Sequence, residues 1–483
     1  MAWVALVPFF LALRRPDRVW CARAFGVGLV TGIVHFGGTV YWTAATMETF
    51  GGLSRVTAVP VAGLLVAYLA LFPALTAVVL DVLVRRWGAR ALLAGPVVWV
   101  ASEFLRTHLF SGFPWVLLGY SQSSVLPVVQ VASLAGIYGV SWLVANTAAA
   151  IAYGCSVGAR RGAAAIVVAA GLVAVAWGWG TFRIARGTLT SAGTPVMAAL
   201  VQGNVPQHQK WDPAHARGIL ARYLSMSREA AARGATLIVW PESSTPFNFE
   251  EDGAGGNAVR DLASTTRAWV LFGSDQADRG SAPRYYNAAF MLGPTGEVAG
   301  VYRKMHLVPF GEYVPLRRLL FFAAPLVETV SDFSPGAELT MLPVGAHRVS
   351  TAICYEAVFP ALAREAVQAG SELLTTITND AWYGWSSAAY QHFEQASVRA
   401  VEQGRYLLRA ANTGISGIVD PYGRVVVRTG LFETAVVTGE ARFLTTRTVY
   451  GTIGDSFAWA CAALTVLLLA ARGRARPPEG AFR

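Results

Sequence analysis

The pattern of apolar and polar positions divides the chain into two parts. Long apolar runs with few charges crowd roughly the first 180 residues and return once near the C-terminus. The section from 190 to 450 instead alternates short apolar runs with polar stretches. Runs of about 18 or more apolar residues are typical of membrane-spanning helices, and runs of about four to eight are typical of buried strands. The pattern therefore predicts a transmembrane bundle and a separate globular domain.

Seven stretches combine apolar length with few charges, although the first of them is short. They are residues 2–13, 24–44, 57–84, 91–108, 127–153, 163–181 and 455–471. We predict a transmembrane helical bundle of about six spans over residues 1–185 and a globular domain over 190–450. A C-terminal transmembrane helix over 455–471 and a cytoplasmic basic tail over 472–483 follow.

Arginines follow every second predicted span. They are Arg14, Arg15, Arg18, Arg23, Arg85, Arg86, Arg90, Arg160 and Arg161, with Arg472, Arg474, Arg476 and Arg483 in the tail. Because basic residues of short loops stay in the cytoplasm, the domain over 190–450 is predicted on the extracytoplasmic face. An odd number of spans leaves the N-terminus outside, so either the count is off by one or an initial helix lies upstream. A cleaved signal peptide is the other interpretation of the first stretch, but no basic region precedes it and no small-residue cleavage site follows it.

Composition supports this division. The chain is 54% hydrophobic and 14% charged, which is typical of a membrane protein. Its net charge of +10 is explained by the topological arginines rather than by nucleic-acid binding. Of the four cysteines, only Cys354 lies in the globular section, which therefore has no internal disulfide. Cys354 is either a reactive thiol or a small buried apolar side chain.

Strand and helix patterns alternate in the globular section. Predicted strands are VMAALVQG, ATLIVWPE, AWVLFGSD, YYNAAFMLGPTG, HRVSTAICYE and LLTTITND, with further strands in LLRAANTGISGIVDPYGRVVVRTG. Predicted helices are AHARGILARYLSMSREAAARG, a segment ending near Arg267, FPALAREAVQAG and AYQHFEQASVRAVEQGR. This alternation predicts an α/β layered domain, and sites in such domains gather at the carboxyl ends of strands.

Three polar residues lie at such strand ends. Glu242 closes ATLIVWPE, Cys354 closes HRVSTAIC, and Lys304 follows GVYR. Singly, each has an ordinary structural explanation: a helix-start carboxylate, a buried thiol and a solvated lysine. Together they supply a base, a nucleophile and a cation, which are the groups that acyl transfer requires.

These residues carry a family resemblance. Glu242 in WPES, Lys304 in YRKMHLVPFGEYVP and Cys354 in ICYE match the Glu-Lys-Cys triad of the nitrilase (carbon-nitrogen hydrolase) superfamily. With VQGNVPQHQKW, ITNDAWYG, RAANTGISG and the flanking spans, the chain resembles the apolipoprotein N-acyltransferase family along nearly its whole length. The resemblance implies an αββα sandwich beside a multi-span bundle. It also implies eight spans, one more than the pattern predicts.

The resemblance implies a ping-pong reaction in the bacterial inner membrane. The Cys354 thiolate would take an acyl chain from a membrane phospholipid, and the thioester would pass it to the α-amino group of a diacylglyceryl-cysteine on an apolipoprotein. Glu242 would act as general base, and Lys304 with the backbone N–H of Tyr355 would stabilise the oxyanion. No cofactor is expected, and a monomer is the default.

Further residues follow from the matched motifs. Glu312 would hold Lys304 or Cys354, and Glu356 would shape the loop behind the thiol, with structural ion pairing as the alternative for both. Four aromatic residues are candidates for an acyl path or the membrane interface, or else for core packing: Trp211, Trp382, Tyr383 and Trp385. His306 and His392 show no metal-ligand spacing, so no metal is predicted.

Two other functions compete with the transferase. A membrane-tethered amidase would let water replace the amine at the thioester, although the extended YRKMHLVPFGEYVP motif and the flanking spans favour transfer between membrane substrates. A transporter or receptor is disfavoured because the predicted spans carry few charges. Glu103 is the exception if it lies inside the fourth span, and an interfacial position is the preferred interpretation.

Overall fold

The computed structural model describes residues 1–14, 21–280, 283–313 and 333–471. The sequence LLFFAAPLVETV over 319–330, which is a candidate for either a membrane-dipping loop or a core helix, lies outside these residues. Arg15, Arg18 and the basic tail over 472–483 also lie outside them. The chain divides into two compact units. One comprises residues 1–44, 55–185 and 453–483, and the other comprises residues 45–54 and 186–452.

The first unit is helical. Its helices are α1 (Ala2–Ala5), α2 (Val7–Ala12), α3 (Ala22–Thr39), α4 (Trp42–Thr49), α5 (Arg55–Trp87), α6 (Gly95–His108), α7 (Leu126–Val129), α8 (Ala132–Gly154) and α9 (Ala159–Arg186), and later α16 (Ser456–Ala470). The last residues of α4 belong to the second unit. Helices α3 and α5 approach closely at small residues: a Cβ on Gly28 would lie 2.4 Å from the carbonyl oxygen of Pro73.

Helix length and composition identify the candidate membrane spans. Among the described residues, three continuous stretches qualify: Arg55–His108, Ala132–Gly154 and Ala159–Ser191. Helices α3 and α4, bent by 52°, make a fourth if they form one broken span. The predicted spans over 57–84 and 91–108 thus fall in one run of 54 residues, interrupted by a 3-10 segment at Gly88–Ala94. The apolar helices Ala2–Ala12 and Ser456–Ala470 are shorter.

The second unit is built on two sheets. Its strands are β1 (Thr194–Gln202), β2 (Leu237–Val239), β3 (Trp269–Asp278), β4 (Arg284–Leu292), β5 (Val298–Arg303), β6 (Leu342–Val344), β7 (His347–Ile353), β8 (Leu373–Thr378), β9 (Leu407–Ala411), β10 (Gly417–Val419), β11 (Val425–Arg428) and β12 (Ala435–Phe443). Among the described residues, one sheet has the order β12-β1-β2-β3-β4-β5 and the other β11-β10-β9-β8-β7-β6. Strands β1, β2 and β3 are parallel, as are β7, β8 and β9.

Helices cover the outer faces of both sheets. They are α11 (Pro213–Ala232) and α12 (Gly253–Thr266) on the first sheet, and α13 (Pro360–Gln368) and α14 (Ser387–Gln403) on the second, with the short α10 (Thr188–Ser191) and α15 (Val449–Ile453) elsewhere. The inner faces share one core, to which Leu200 of β1 and Leu408 of β9 both contribute. These layers confirm the predicted αββα class joined to an apolar helical part.

Local sequence explains the central elements. Strand β8 reads LLTTIT and is buried at every position, as expected of a parallel strand covered on both faces. Helix α14 begins where Ser386 Oγ accepts from the Ala388 N–H at 3.2 Å, and it ends at Gly404 with φ 61°. The carboxyl ends of β2, β7 and β8 then deliver polar side chains into one buried region.

Candidate active site

Cys354 lies at a strained turn. It follows β7 directly and begins a 3-10 segment that runs to Val358. Its φ of 54° is a left-handed value that costs a non-glycine residue about 1–2 kcal/mol. A sharp turn from strand to helix is a known device for presenting a nucleophile, because it turns the side chain away from the sheet. Cys354 is nevertheless only 7% exposed.

The Cys354 thiol is protonated at neutral pH. Burial, followed by the negative charge of Glu242, raises its pKa to about 12, although the cation of Lys304 acts in the opposite direction. The charges of Glu242 and Lys304 therefore both reach the thiol. A nucleophile in this state needs a base that removes its proton during attack.

Both carboxylate oxygens of Glu242 are held. Oε1 accepts from the Asn287 side-chain amide at 2.7 Å, and Oε2 accepts from the Asn379 N–H at 2.9 Å. The chain at Glu242 passes against Gly273 of β3, where a Cβ would lie 2.7 Å from the Glu242 Cα. Close backbone approach therefore requires glycine at this position.

Lys304 is a buried, charged lysine. It follows β5 and is 1% exposed, and its Nζ lies 2.9 Å from either carboxylate oxygen of Glu312 and 3.6 Å from Glu242 Oε1. Burial opposes its charge, but Glu312 and Glu242 outweigh burial and raise its pKa. The ammonium is therefore available to stabilise a developing negative charge.

Glu312 contacts Lys304 and extends this network. Its Oε1 accepts from Asn287 at 3.0 Å and its Oε2 accepts from the Val308 N–H at 2.8 Å. The Asn287 amide thus bridges Glu242 and Glu312. Two carboxylates, one ammonium and one amide form a single hydrogen-bonded group.

Glu356 is buried behind the thiol and faces backbone donors. Oε1 accepts from the Tyr302 hydroxyl and from the N–H groups of Met305 and His306, and Oε2 accepts from the Ile353 N–H. Burial raises its pKa. The adjacent Tyr355 ring lies 5.1 Å from the ring of Phe359 and 5.9 Å from that of His306.

The four aromatic candidates differ in their exposure and in the side chains that they contact. Trp211 and Trp385 are 48% and 78% exposed, and Trp385 lies against Phe432 at 4.6 Å between ring centroids. Trp382 is held within the second unit, where its carbonyl accepts from Thr46 Oγ1 at 2.9 Å and its ring lies 4.9 Å from that of Phe50.

Sequence reasoning missed three residues around Glu242. Asn287 and Asn379 hold its carboxylate, and Lys210, only 4% exposed, donates to its backbone carbonyl at 3.1 Å. Burial lowers the Lys210 pKa to about 8 despite the attraction of Glu242 and Asp275. The available signal was polarity inside an apolar strand: Asn287 interrupts YYNAAFM, and its β4 neighbours Ala288 and Ala289 are fully buried.

The chain is similar to known proteins over nearly its whole length. Residues 197–449 match the carbon-nitrogen hydrolase family, and residues 1–150 match the apolipoprotein N-acyltransferase N-terminal domain. An apolipoprotein N-acyltransferase of Geobacter metallireducens is 41% identical over 475 residues, covering 96% of this chain and 89% of the relative. That of Methylococcus capsulatus is 36% identical, covering 93% and 90%.

The chain belongs to the apolipoprotein N-acyltransferase family.

This membership confirms the family predicted from the motifs and, with it, an acyltransferase of lipoprotein maturation. Among solved structures, an amidase from Nesterenkonia sp. aligns with a TM-score of 0.42 at 21% identity, covering 56% of this chain and 97% of the amidase.

Proposed function

We propose that this apolipoprotein N-acyltransferase moves an acyl chain from a membrane phospholipid to the α-amino group of a diacylglyceryl-cysteine, through a thioester on Cys354. The observation that carries the proposal is the geometry around the thiol. A strained, protonated cysteine lies within the electrostatic reach of a doubly held carboxylate, Glu242, and of a charged lysine, Lys304.

In the first half-reaction, Cys354 Sγ attacks the ester carbonyl carbon of the phospholipid. Glu242 accepts the thiol proton as the S–C bond forms, because a pKa of about 12 leaves almost no thiolate beforehand. The tetrahedral oxyanion faces the Lys304 ammonium and, in this proposal, the backbone N–H of Tyr355. The C–O bond then breaks, and Glu242 returns the proton to the departing oxygen of the lysophospholipid.

In the second half-reaction, the neutral α-amino nitrogen attacks the thioester carbonyl. Glu242 accepts a proton from the attacking nitrogen, and Lys304 again stabilises the oxyanion. The C–S bond breaks, the proton passes to Sγ, and the acceptor leaves with an amide-linked chain. Each proton removed by Glu242 is thus returned within the same half-reaction.

The other predicted residues have supporting roles in this proposal. Glu312 keeps Lys304 charged and fixed through its two 2.9 Å contacts. Glu356 fixes the loops around the thiol. Trp211 and Trp385, being exposed, are available to apolar chains of the substrates. Trp382, through its ring contact with Phe50, and Tyr383, through its ring contact with His392, support the loop after β8.

The site is proposed to work as a monomer on the extracytoplasmic face of the bacterial inner membrane, without a cofactor. The arginine pattern supports this orientation, since alternate loops carry the positive charge. Both substrates remain anchored in the bilayer, which explains why an α/β domain of this kind is joined to apolar helices.

Intact-mass analysis of the purified protein incubated with phospholipid vesicles tests the proposal. Wild type should gain one acyl mass, Cys354→Ala should gain none, and Glu242→Gln should gain it far more slowly. Addition of a diacylated lipopeptide should discharge the acyl mass and produce a triacylated peptide.

The contrary result is equally defined. If no acyl mass forms and small amides are hydrolysed in a Cys354-dependent manner, the protein is an amidase and the transfer proposal fails. If Cys354→Ala still gained the acyl mass, a residue other than Cys354 would be the nucleophile.

A further inference from the structure

A buried chain of hydrogen-bonded polar side chains ends at the backbone of Cys354. Arg409 of β9 donates through NH2 to Asp380 Oδ2 at 2.8 Å, and Asp380 Oδ1 lies 3.0 Å from His392 Nδ1. His392 Nε2 lies 3.1 Å from the carbonyl oxygen of Cys354. All three side chains are at most 1% exposed. The predicted triad and its supporting residues leave this group without a role.

The contacts fix one proton of the imidazole. A carbonyl oxygen only accepts, so His392 Nε2 must carry hydrogen. Nδ1 has two options, because it either donates to Asp380 Oδ1 or accepts from Arg409 NH2 at 3.1 Å. Nε2 is the donor in both cases. His392 therefore donates to the backbone of Cys354 whatever its own charge.

The bond acts on a strained residue. Cys354 has a φ of 54°, which an L-residue keeps only where the surroundings hold it. Glu356 holds the turn on one side through the Ile353 N–H at 2.7 Å, and His392 holds the Cys354 carbonyl on the other. Nε2 of His392 is committed to the carbonyl of Cys354, and Nδ1 faces Asp380 and Arg409, so the role of base remains with Glu242.

We propose that His392 is a positioning residue, which Asp380 and Arg409 orient so that its Nε2–H holds the carbonyl of Cys354 and keeps the thiol aimed at its reaction partner. The inference rests on the proposed function only in treating Cys354 as the nucleophile. Small misplacement of a reacting group costs about 100-fold in rate, so a single lost hydrogen bond at this point has a large effect.

Two substitutions separate the two bonds of His392. In His392→Gln the amide nitrogen lies as many bonds from Cβ as Nε2 does, so it retains the donor to Cys354 and loses the contact with Asp380. In His392→Asn the amide nitrogen corresponds to Nδ1, so it retains the contact with Asp380 and loses the donor to Cys354. Each variant deletes one buried bond, which makes the pair a matched control for stability.

Two readouts are made on wild type and both variants: the rate of Cys354 acylation from phospholipid vesicles, and the pH profile of Cys354 alkylation by iodoacetamide. We expect His392→Gln to stay within about 10-fold of the wild-type acylation rate and His392→Asn to fall about 100-fold. The alkylation profile should change in His392→Asn alone, since only there does the thiol shift relative to Glu242 and Lys304.

Equal impairment of the two variants, or an active His392→Asn with an impaired His392→Gln, overturns the inference and leaves a purely structural role. If wild type takes no acyl group from phospholipid, the proposed function fails instead. The alkylation profiles then still decide the role of His392, because they need no lipid substrate.

Discussion

The carboxylate of Glu356 accepts a hydrogen bond from the backbone N–H of Met305 at 2.7 Å. Met305 directly follows Lys304, and Glu356 lies two positions after Cys354. The other oxygen of Glu356 accepts from the Ile353 N–H, also at 2.7 Å, directly before Cys354. One buried side chain thus joins the segment that carries the cation to the segment that carries the thiol.

Glu356→Ala should be strongly destabilising. It removes the acceptor of two buried donors, the Tyr302 hydroxyl and the Ile353 N–H, and of two half-buried donors, the N–H groups of Met305 and His306. Each buried donor left unsatisfied costs about 1–3 kcal/mol. Glu356→Gln keeps one acceptor oxygen and should lose less. Denaturant unfolding of the purified protein checks this order. Equal stability of the two variants would show that these bonds contribute little.

Asn287→Leu should lower the rate of Cys354 acylation by about 100-fold with a modest loss of stability. The variant keeps the shape of the side chain but removes the donor that bridges Glu242 and Glu312, so the proposed base is no longer oriented. Asn257→Leu, on the exposed surface of α12, is the matched control. An unchanged acylation rate in Asn287→Leu would show that the Asn287 hydrogen bonds to Glu242 and Glu312 are not needed for the reaction.

The rate of Cys354 alkylation by iodoacetamide should rise steadily from pH 8 to pH 10, because its pKa of about 12 lies above this range. Glu242→Gln removes a negative charge and should speed alkylation at pH 9 while it slows acylation. Lys304→Met removes a positive charge and should slow both. Peptide mass analysis resolves the site, with exposed Cys155 as internal reference. If Glu242→Gln and Lys304→Met changed the alkylation rate in the same direction, the opposite effects assigned to the two charges on the thiol pKa would be contradicted.

Asp380 should stabilise the fold in a pH-dependent way. Burial opposes its ionisation, but Arg409 and His392 outweigh burial and lower its pKa from 3.8 to about 2. Folding therefore favours the ionised form, so the contribution of about 2 kcal/mol is present above pH 4 and is lost as the pH falls towards 2. The difference in unfolding free energy between wild type and Asp380→Asn should shrink over this interval. Asp261→Asn, the same substitution on the exposed surface of α12, is the control.

Gly273→Ala should reduce acylation because its Cβ would lie 2.4 Å from the Ser243 nitrogen and 2.7 Å from the Glu242 Cα. The backbone must move to relieve this contact, and the proposed base moves with it. Gly218→Ala on α11, where a Cβ meets no atom within 4 Å, is the control. A Gly273→Ala protein with the wild-type acylation rate would show that Glu242 tolerates displacement.

The central strands were predictable because burial on both faces leaves a short apolar run, as in LLTTIT of β8. Strand β12 was missed because AVVTGEARF mixes polar and small residues, and its positions are mostly half-buried. Its pairing with β1 joins the two ends of the domain, and a local pattern carries no signal for such a pairing. Strand β6 was also missed, because it lies at a sheet edge and its three residues, LPV, include a proline.

The sequence placed Glu242, Lys304 and Cys354 at strand ends, and the structure brings them within electrostatic reach of one another. The sequence pattern did not reveal the residues that hold these three side chains in place. His392 seemed isolated because no ligand spacing surrounds it, yet it meets Asp380 from a strand end and Arg409 from the next parallel strand. The contact of His392 with Asp380 and Arg409 depends on the register of β8 and β9, which a local sequence pattern does not show.

The pairing of β1 with β12 also bears on biosynthesis. Residues Thr194 to Gln202 pair with residues 435 to 443, so the first sheet cannot close until nearly the whole domain has left the ribosome. Until then, one edge of β1 offers unpaired backbone groups beside buried side chains, which is a template for aggregation. A nascent chain interrupted before Ala435 is therefore expected to be a target for chaperones and proteases.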